Sequence, residues 1–146
     1  MGDVKINANP PLDAAVALLR EAGLPVADLT GAHMRDFFYY GQPSAPVALV
    51  GVEFCGPDAL LRSLAVAPDR RARGIGSALV RHAENHARGR AVQAIYLLTT
   101  DAATFFERCG YETAERDSAP ASIRATREFA EVCPGDSTLL VKRLAD

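Results

Sequence analysis

Three arginines and two glycines lie close together near the middle of the chain, where they could bind an anion. They are Arg70, Arg71 and Arg73, followed by Gly74 and Gly76. The first amides of a helix lack backbone partners and carry the positive end of its dipole. Glycines there let a ligand approach the backbone, so the spacing predicts a pyrophosphate-binding turn. Solvated arginines in an ordinary strand-to-helix connection are the alternative.

Two familiar phosphate-binding motifs do not fit this turn. A P-loop closes with Gly-Lys-Ser or Gly-Lys-Thr, and no such triplet occurs in the chain. A dinucleotide-binding turn has a third glycine three residues after the second, where this chain has Leu79. We therefore expect the turn to hold a different phosphate ligand.

Polar residues interrupt two apolar strands on the N-terminal side of the turn. Glu53 interrupts the run 47–54, where a buried charge is costly unless it has a partner or a function. It could take a proton from an incoming ammonium group, or it could pair with Arg62 as a charge at a strand end. We select Glu53 and Ser63 as the candidate catalytic residues.

The same question applies to Arg62 and to two threonines. Arg62 stands in a strand otherwise built from Leu, Ala and Val, and it could hold a substrate carboxylate through two hydrogen bonds. Thr99 and Thr100 end the next strand and would face the same cleft. We predict substrate contacts for all three, with satisfied polar groups of the core as the alternative.

The histidines and cysteines do not predict a metal site. His82 and His86 are four residues apart on one helix, but no third ligand is spaced to join them, and a solvated helix face is the better interpretation. Cysteines 55, 109 and 133 form neither a disulfide framework nor a zinc spacing. We predict no metal.

Apolar periodicity and turn residues divide the chain into alternating strands and helices. Asp13 and Asp101 are expected to cap helices, and Gly41 and Pro43 to form a hairpin turn. The predicted strands are 5–9, 37–40, 47–55, 60–66, 95–100, 111–116 and 138–142. The predicted helices are 13–22, 74–89, 102–109 and a last one from Pro120 to the break at 133–135, with a shorter helical turn at 30–35.

Composition predicts one globular domain covering residues 1–146. The chain has 16 basic and 18 acidic residues, so nothing indicates a nucleic-acid or membrane-surface partner. No window approaches the length of a membrane span, and the N-terminus lacks a signal pattern. A cytoplasmic location is the expectation.

Two motifs resemble the GNAT-type acyl-CoA N-acyltransferases. Arg71-Ala-Arg-Gly74-Ile-Gly76 is similar to the family's pyrophosphate loop, with Ser63-Leu-Ala-Val66-Ala-Pro68 before it. Ala103-Thr-Phe105-Phe106-Glu-Arg-Cys-Gly110-Tyr111 resembles the second family signature. The resemblance implies an α/β (α+β) GNAT fold, with a mixed, mostly antiparallel sheet of about six to seven strands and helices on both faces.

The resemblance also implies acetyl-CoA as cosubstrate and a small-molecule amine as acceptor. The strand before the loop would pair with pantetheine, the loop would hold the pyrophosphate, and the helix at 102–109 would wall the thiol end. Proteins with similar folds often form dimers, so the resemblance is compatible with a homodimer. The implied acetyl-CoA contacts are Leu64, Ala65, Val66, Arg71, Ala72, Arg73, Gly74, Ile75, Gly76, Ser77, Phe105 and Phe106.

The chain departs from the family pattern at one position. The second aromatic residue of the downstream signature is usually a tyrosine that serves as general acid, and here it is Phe106. A thiolate leaves readily near neutral pH, so transfer without a positioned acid is feasible. Water, Tyr111, Tyr96 or Cys109 could replace the acid, while Phe105 and Phe106 are expected simply to pack.

From residue 47 onward the chain is also similar to the ArsN-type arsenic-resistance N-acetyltransferases. The tail Ala119-Pro-Ala-Ser-Ile-Arg124-Ala-Thr-Arg127-Glu-Phe129 is the most distinctive part of this resemblance. It implies detoxification of an amino-acid analogue that bears arsenic or phosphorus, with Arg124 and Arg127 suited to its anionic group. We predict Arg127 as a substrate contact. An N-acetylglutamate-synthase-like enzyme and a non-catalytic acetyl-CoA sensor are the alternatives.

Overall fold

A computed structural model describes residues 5–70, 74–132 and 137–144. Its centre is one seven-stranded sheet with the order β1-β2-β3-β4-β5-β7-β6. All neighbouring strands are antiparallel except β4 and β5, which are parallel. The strands are β1 Ile6–Ala8, β2 Phe37–Gln42, β3 Ala45–Cys55, β4 Asp58–Val66, β5 Ala94–Thr99, β6 Glu112–Ala114 and β7 Thr138–Arg143. The predicted mixed and mostly antiparallel sheet is confirmed.

Helices cover both faces of the sheet. On one face, α2 buries Ile75, Leu79 and Ala83, which are four residues apart, against the central strands. On the other face, α1 buries Leu18 and Leu19. The helices are α1 Leu12–Glu21, α2 Ile75–Gly89, α3 Ala103–Arg108 and α4 Ala121–Arg124, with a 3₁₀ turn at His33–Asp36 and a π-helical turn at Glu128–Val132. None of the helices in the described ranges is long and apolar enough to cross a membrane.

Two local predictions about helix caps are wrong, and one about a hairpin turn is right in part. Asp13 lies in the first turn of α1 and accepts the amide of Ala14, while Pro11 occupies the cap position. Asp101 does not cap α3, because the Ala102 amide donates to Thr99 Oγ1 at 3.0 Å. The hairpin turn is formed by Pro43 and Ser44, so the prediction holds for Pro43, whereas Gly41 lies within β2 at a register shift.

The last predicted helix is also different. Pro120 precedes α4, which ends after one turn at Arg124. The hydroxyl of Thr126 donates to the Ile123 carbonyl at 2.8 Å, and its oxygen accepts the Phe129 amide at 3.3 Å. This local bonding separates α4 from the π-helical turn at Glu128–Val132. The expected break at 133–135 lies outside the described residues.

Candidate functional site

The sheet opens where β4 and β5 diverge. Their parallel pairing covers Asp58–Leu60 and Ala94–Tyr96 and stops there, although both strands continue. On its other side, β4 carries a bulge in which Ser63 and Leu64 together oppose Val50, and Ser63 has a φ of 63°. Beyond Leu60 the backbone of β4 is therefore not bonded to β5 and borders an opening.

Two adjoining clefts occupy this opening. They share Leu24, Leu64, Asp101 and Ala102 in their walls, so one continues into the other. The inner cleft has a volume of about 580 Å³ and is lined by residues 23–27, 61–64, 97–102, Phe106, Glu128 and Ser137. The outer cleft has a volume of about 700 Å³ and is lined by Ala22, Leu24, residues 64–66, Arg70, Gly74, Gly76, Ser77, Asp101, Ala102, Phe105, Arg108 and Cys109.

The outer cleft ends at the N-terminus of α2. Gly74 caps this helix with a φ of 78°, a backbone conformation that glycine adopts without strain. The first amide bonded back to the cap is that of Ala78, which leaves the preceding amides of the helix without an intrahelical acceptor. A Cβ added at Gly76 would lie 3.4 Å from the Phe105 ring. The geometry suits a close approach of a phosphate to the backbone.

The wall of the inner cleft contains a buried arginine that three carboxylates surround. The side chain of Arg62 is 0 % exposed and donates to both carboxylate oxygens of Asp28. Its Nη1 also donates to Glu53 Oε1 at 3.1 Å, and its Nε lies 3.2 Å from Glu128 Oε1. The proposed grip of Arg62 on a substrate carboxylate does not fit this arrangement. The guanidinium instead binds the three carboxylates of the cluster.

Glu53 is oriented toward a different cavity. It is held by Arg62 and by His33, whose Nε2 lies 3.2 Å from Glu53 Oε1. The Thr30 amide donates to His33 Nδ1, so the hydrogen of the neutral ring resides on Nε2 and points to Glu53. Glu53 lines a third cavity of about 340 Å³ and is absent from the walls of the two clefts. This placement argues against direct proton transfer to Glu53 from an acceptor in the inner cleft.

The same cluster could suggest a metal site. One ligand atom each from Asp28, His33 and Glu53 lies within 4.8 Å of the others. However, Arg62 donates to both carboxylates, and His33 presents an N–H rather than a lone pair to Glu53. The donor set is therefore engaged by a guanidinium and does not favour a cation.

Glu128 is the carboxylate of the cluster that borders the inner cleft. Its side chain is 5 % exposed, and its Oε2 has no hydrogen-bond partner. Burial raises the pKa of Glu128, Arg62 lowers it, and Glu53 and Asp28 raise it further, to about 7. Sequence reasoning missed both Glu128 and Asp28. For Asp28 the sequence offered one signal, an acidic residue between the apolar Ala27 and Leu29, whereas Glu128 follows the charged Arg127 and carries no such signal.

Phe106 forms part of the inner cleft wall and packs in the core. Its ring lies 5.1 Å from that of Phe105 and 5.7 Å from that of Tyr111, and the residue is 6 % exposed. The Tyr111 hydroxyl donates to Glu84 at 3.0 Å, away from both clefts. Burial raises the pKa of Tyr111 far above its usual range. Tyr111 is therefore a structural residue rather than a replacement acid.

The remaining candidates for the acid differ in position. Tyr96 is buried on the face covered by α4 and is absent from both cleft walls. Cys109 lines the outer cleft, and burial raises the pKa of its thiol. Of the two, only Cys109 can reach a ligand without rearrangement.

The structure places most of the predicted contacts at the two clefts. The inner cleft brings together Arg62, Ser63, Leu64, Thr99, Thr100 and Phe106. The outer cleft brings together Leu64, Ala65, Val66, Gly74, Gly76, Ser77 and Phe105. Ile75 points into the core, and the exposed Arg127 is absent from both walls. Arg71, Ala72 and Arg73 lie outside the described residues, as does Cys133.

The two histidines of α2 do not form a solvated face as predicted. The rings of His82 and His86 pack edge-on against Phe38, with centroids 4.6 and 4.9 Å away. His86 Nε2 lies 3.1 Å from Asp36 Oδ1. Both histidines are half-buried packing residues.

Comparison with known proteins identifies the family. The model of the acetyltransferase (GNAT) domain matches residues 35–113, more than half of the chain. The chain belongs to the GNAT acetyltransferase family. An uncharacterized N-acetyltransferase of Chlorobaculum tepidum is 34% identical over 92 residues, which are 62% of this chain and 59% of that protein.

Solved structures show the same GNAT fold. The N-acetylglutamate synthase of Neisseria gonorrhoeae, complexed with coenzyme A and N-acetyl-glutamate, superposes with a TM-score of 0.84 at 22% identity. This match covers 100% of the present chain and 36% of the synthase. The protein Rv2747 of Mycobacterium tuberculosis, complexed with CoA, gives a TM-score of 0.75 at 17% identity over 97% of this chain and 99% of its own. The match thus spans less than two thirds of the Chlorobaculum relative and about a third of the synthase.

Proposed function

We propose that this protein is an acetyl-CoA-dependent N-acetyltransferase that acts on the amine of a small molecule. The observation that carries the proposal is the continuous path from the helix terminus at Gly74, along the unpaired edge of β4, to the inner cleft. The amides and glycines at the start of α2 suit a pyrophosphate. The free edge of β4 suits the amide groups of pantetheine, and the thioester would then lie near Ser63.

We further propose that the acceptor is an amino-acid-like molecule, such as an analogue that bears arsenic or phosphorus. The resemblance of the chain to ArsN-type enzymes supports this acceptor. The N-acetyl-glutamate bound by the structurally similar synthase of Neisseria gonorrhoeae supports an amino-acid head. An N-acetylglutamate-synthase-like activity on glutamate itself belongs to the same class of reaction.

The charges of the inner cleft favour a second candidate, a cationic amine without an acidic group. Arg62 is already paired with three carboxylates, one of which is Glu128. Besides Arg62, the charged residues in the described wall are Asp101 and Glu128, and both are acidic. A carboxylate on the acceptor would meet hydroxyls, backbone amides and negative charge there. A polyamine would meet complementary charge.

One experiment separates these candidates. Release of free CoA from acetyl-CoA is measured with glutamate, a phosphinic glutamate analogue, its arsenic counterpart and a polyamine. Turnover selective for the arsenic or phosphorus analogue supports detoxification, and preference for glutamate supports amino-acid metabolism. Preference for the polyamine favours the cationic acceptor. Binding of acetyl-CoA without turnover of any amine would contradict the transferase proposal and favour the sensor.

A further inference from the structure

We propose that Glu128 is the proton acceptor in this transferase, with its Oε2 atom receiving a proton from the ammonium group of the acceptor in the inner cleft. The inference rests on the proposed function and deepens it. Glu128 lies outside both GNAT motifs, and the family match ends at residue 113.

The position of Glu128 carries the inference. The side chain is 95% buried, borders the inner cleft and shares that wall with Ser63 at the bulge of β4. Its Oε1 is oriented by Arg62, while Oε2 has no partner. An unpaired carboxylate oxygen in such a site is costly, so it is expected where a ligand supplies the missing donor. An ammonium group is such a donor.

The other carboxylates of the cluster are less suited to the same task. Both oxygens of Asp28 accept hydrogen bonds from Arg62, and its side chain is 1% exposed. Glu53 faces the third cavity, and its Oε1 is held by Arg62 and His33. Asp101 also borders the inner cleft but is exposed, so water competes for its oxygens. Among the described residues of the wall, Glu128 combines burial with an available oxygen.

The electrostatic surroundings of Glu128 suit a base at neutral pH. The charged groups that face it are Arg62 from β4, Glu53 from β3 and Asp28 from the segment after α1. Burial and the two carboxylates outweigh the guanidinium and raise the pKa of Glu128 to about 7. A base of this strength binds a proton well enough to take it from an ammonium group held against it, yet returns it to solvent near neutral pH.

The proposed step balances as follows. Glu128 accepts one proton from the bound R–NH₃⁺, which leaves R–NH₂ with a free lone pair. The amine nitrogen attacks the thioester carbonyl carbon, so the C–N bond forms, the C–S bond breaks, and the electron pair leaves on the CoA sulfur. The second amine proton passes to that thiolate. Glu128 then releases its proton to solvent, and the products are R–NH–acetyl and CoA–SH.

The test compares the pH dependence of kcat/KM for wild type and Glu128→Gln in the full chain, with each amine of the panel. We expect Glu128→Gln to lower kcat at least about 100-fold, which is the usual contribution of a general base. The wild-type rise of kcat/KM near pH 7 should disappear, while the Kd for acetyl-CoA changes less than about threefold. Glu115→Gln, at an exposed residue that lines neither cleft, is the matched control and should behave as wild type.

Glu128→Asp keeps the charge and separates chemistry from folding. It should retain the rise with pH at a reduced rate, and thermal unfolding checks that each variant is folded. A folded Glu128→Gln protein with a rate within fivefold of wild type and an unchanged pH profile would overturn the inference but leave the transferase intact. The same conclusion holds if Asp101→Asn, and not Glu128→Gln, removes the pH dependence. A wild type that binds acetyl-CoA but acetylates no amine overturns both proposals.

Discussion

Arg62 is the residue on which the charged cluster of the site depends. It pairs with Asp28, Glu53 and Glu128, and its side chain is 0 % exposed. Removing one partner of a buried ion cluster leaves uncompensated charge, which typically costs about 3–5 kcal/mol. We expect Arg62→Met to lower the free energy of unfolding by about that amount at pH 7, measured by urea denaturation.

The control for Arg62→Met is Arg20→Met, which removes an exposed arginine from α1. It should change the free energy of unfolding by less than about 1 kcal/mol. Burial alone would raise the pKa of Asp28, but the bonds and charge of Arg62 lower it below its ordinary 3.8. The ionised Asp28 therefore contributes stability that is present above pH 4 and is lost as the pH falls through its folded pKa. Equal stability of Arg62→Met and wild type at pH 7 would contradict the role of the cluster.

Phe106 is a packing residue at the wall of the inner cleft. The ring packs between Phe105 and Tyr111, and its edge borders the inner cleft. A hydroxyl added by Phe106→Tyr can extend into that cleft, so we expect kcat/KM to change less than about fivefold, in line with a mild core substitution. Steady-state kinetics of CoA release measures this. A tenfold gain would instead show that the wild type lacks a proton donor.

The start of α2 is the element that the proposed pyrophosphate site requires. Gly76 has no side chain, and a Cβ there would meet the Phe105 ring at 3.4 Å. A glutamate would add bulk and negative charge beside the free amides, whereas a glutamine adds nearly the same bulk without the charge. We expect Gly76→Glu to weaken CoA binding at least about tenfold more than Gly76→Gln, measured by calorimetry.

The comparison of the two Gly76 variants isolates charge from shape. Equal affinities of the folded glutamate and glutamine variants would show that the phosphates do not approach this helix terminus. Gly74 is less suitable for this test, because its φ of 78° would add backbone strain to any substituted residue.

At the level of elements, much of the order was predictable from the sequence. β4, α2 and β7 were predicted to within about two residues, because apolar runs and glycine stops mark them clearly. The helix caps were not predictable, since α3 is capped at Ala102, one residue after Asp101, and the Ala102 amide donates to Thr99 in the preceding strand. The residues alone did not predict the divergence of β4 from β5, because no local pattern marks the end of their pairing after Leu60 or the bulge at Ser63.

At the level of the whole molecule, the site depends on contacts between distant parts of the chain. Asp28, Glu53 and Glu128 meet at Arg62 from separate elements on the face of the sheet covered by α1 and α4. Sequence alone suggested the Glu53–Arg62 pair because both residues interrupt apolar strands. It could not place Asp28 or Glu128 at Arg62, since the loop after α1 and the π-helical turn at Glu128–Val132 are brought there by tertiary packing. The proposed base was therefore visible only in the folded chain.

The buried carboxylate of Glu128 links the stability of the whole molecule to pH. Folding raises its pKa from 4.5 to about 7, so the folded chain holds a proton that the unfolded chain releases between these values. Stability therefore falls as the pH rises through this window, and the penalty is complete above pH 7. At 1.36 kcal/mol per pKa unit, the shift from 4.5 to about 7 gives a penalty of about 3 kcal/mol.

Glu128→Gln cannot ionise and should escape this penalty. We expect its free energy of unfolding, relative to wild type, to rise by about 2–3 kcal/mol between pH 5 and pH 8, since part of the penalty is already present at pH 5; urea denaturation at both pH values measures this. The pKa of His82 is lowered by burial and by His86, but this affects both proteins equally and cancels in the difference. Glu115→Gln should show no such change. If stability changes with pH in the same way for Glu128→Gln and wild type, Glu128 titrates alike in the folded and unfolded chain, which contradicts the prediction. A gain in stability together with a loss of turnover would show that the fold retains a destabilising carboxylate because the reaction requires it.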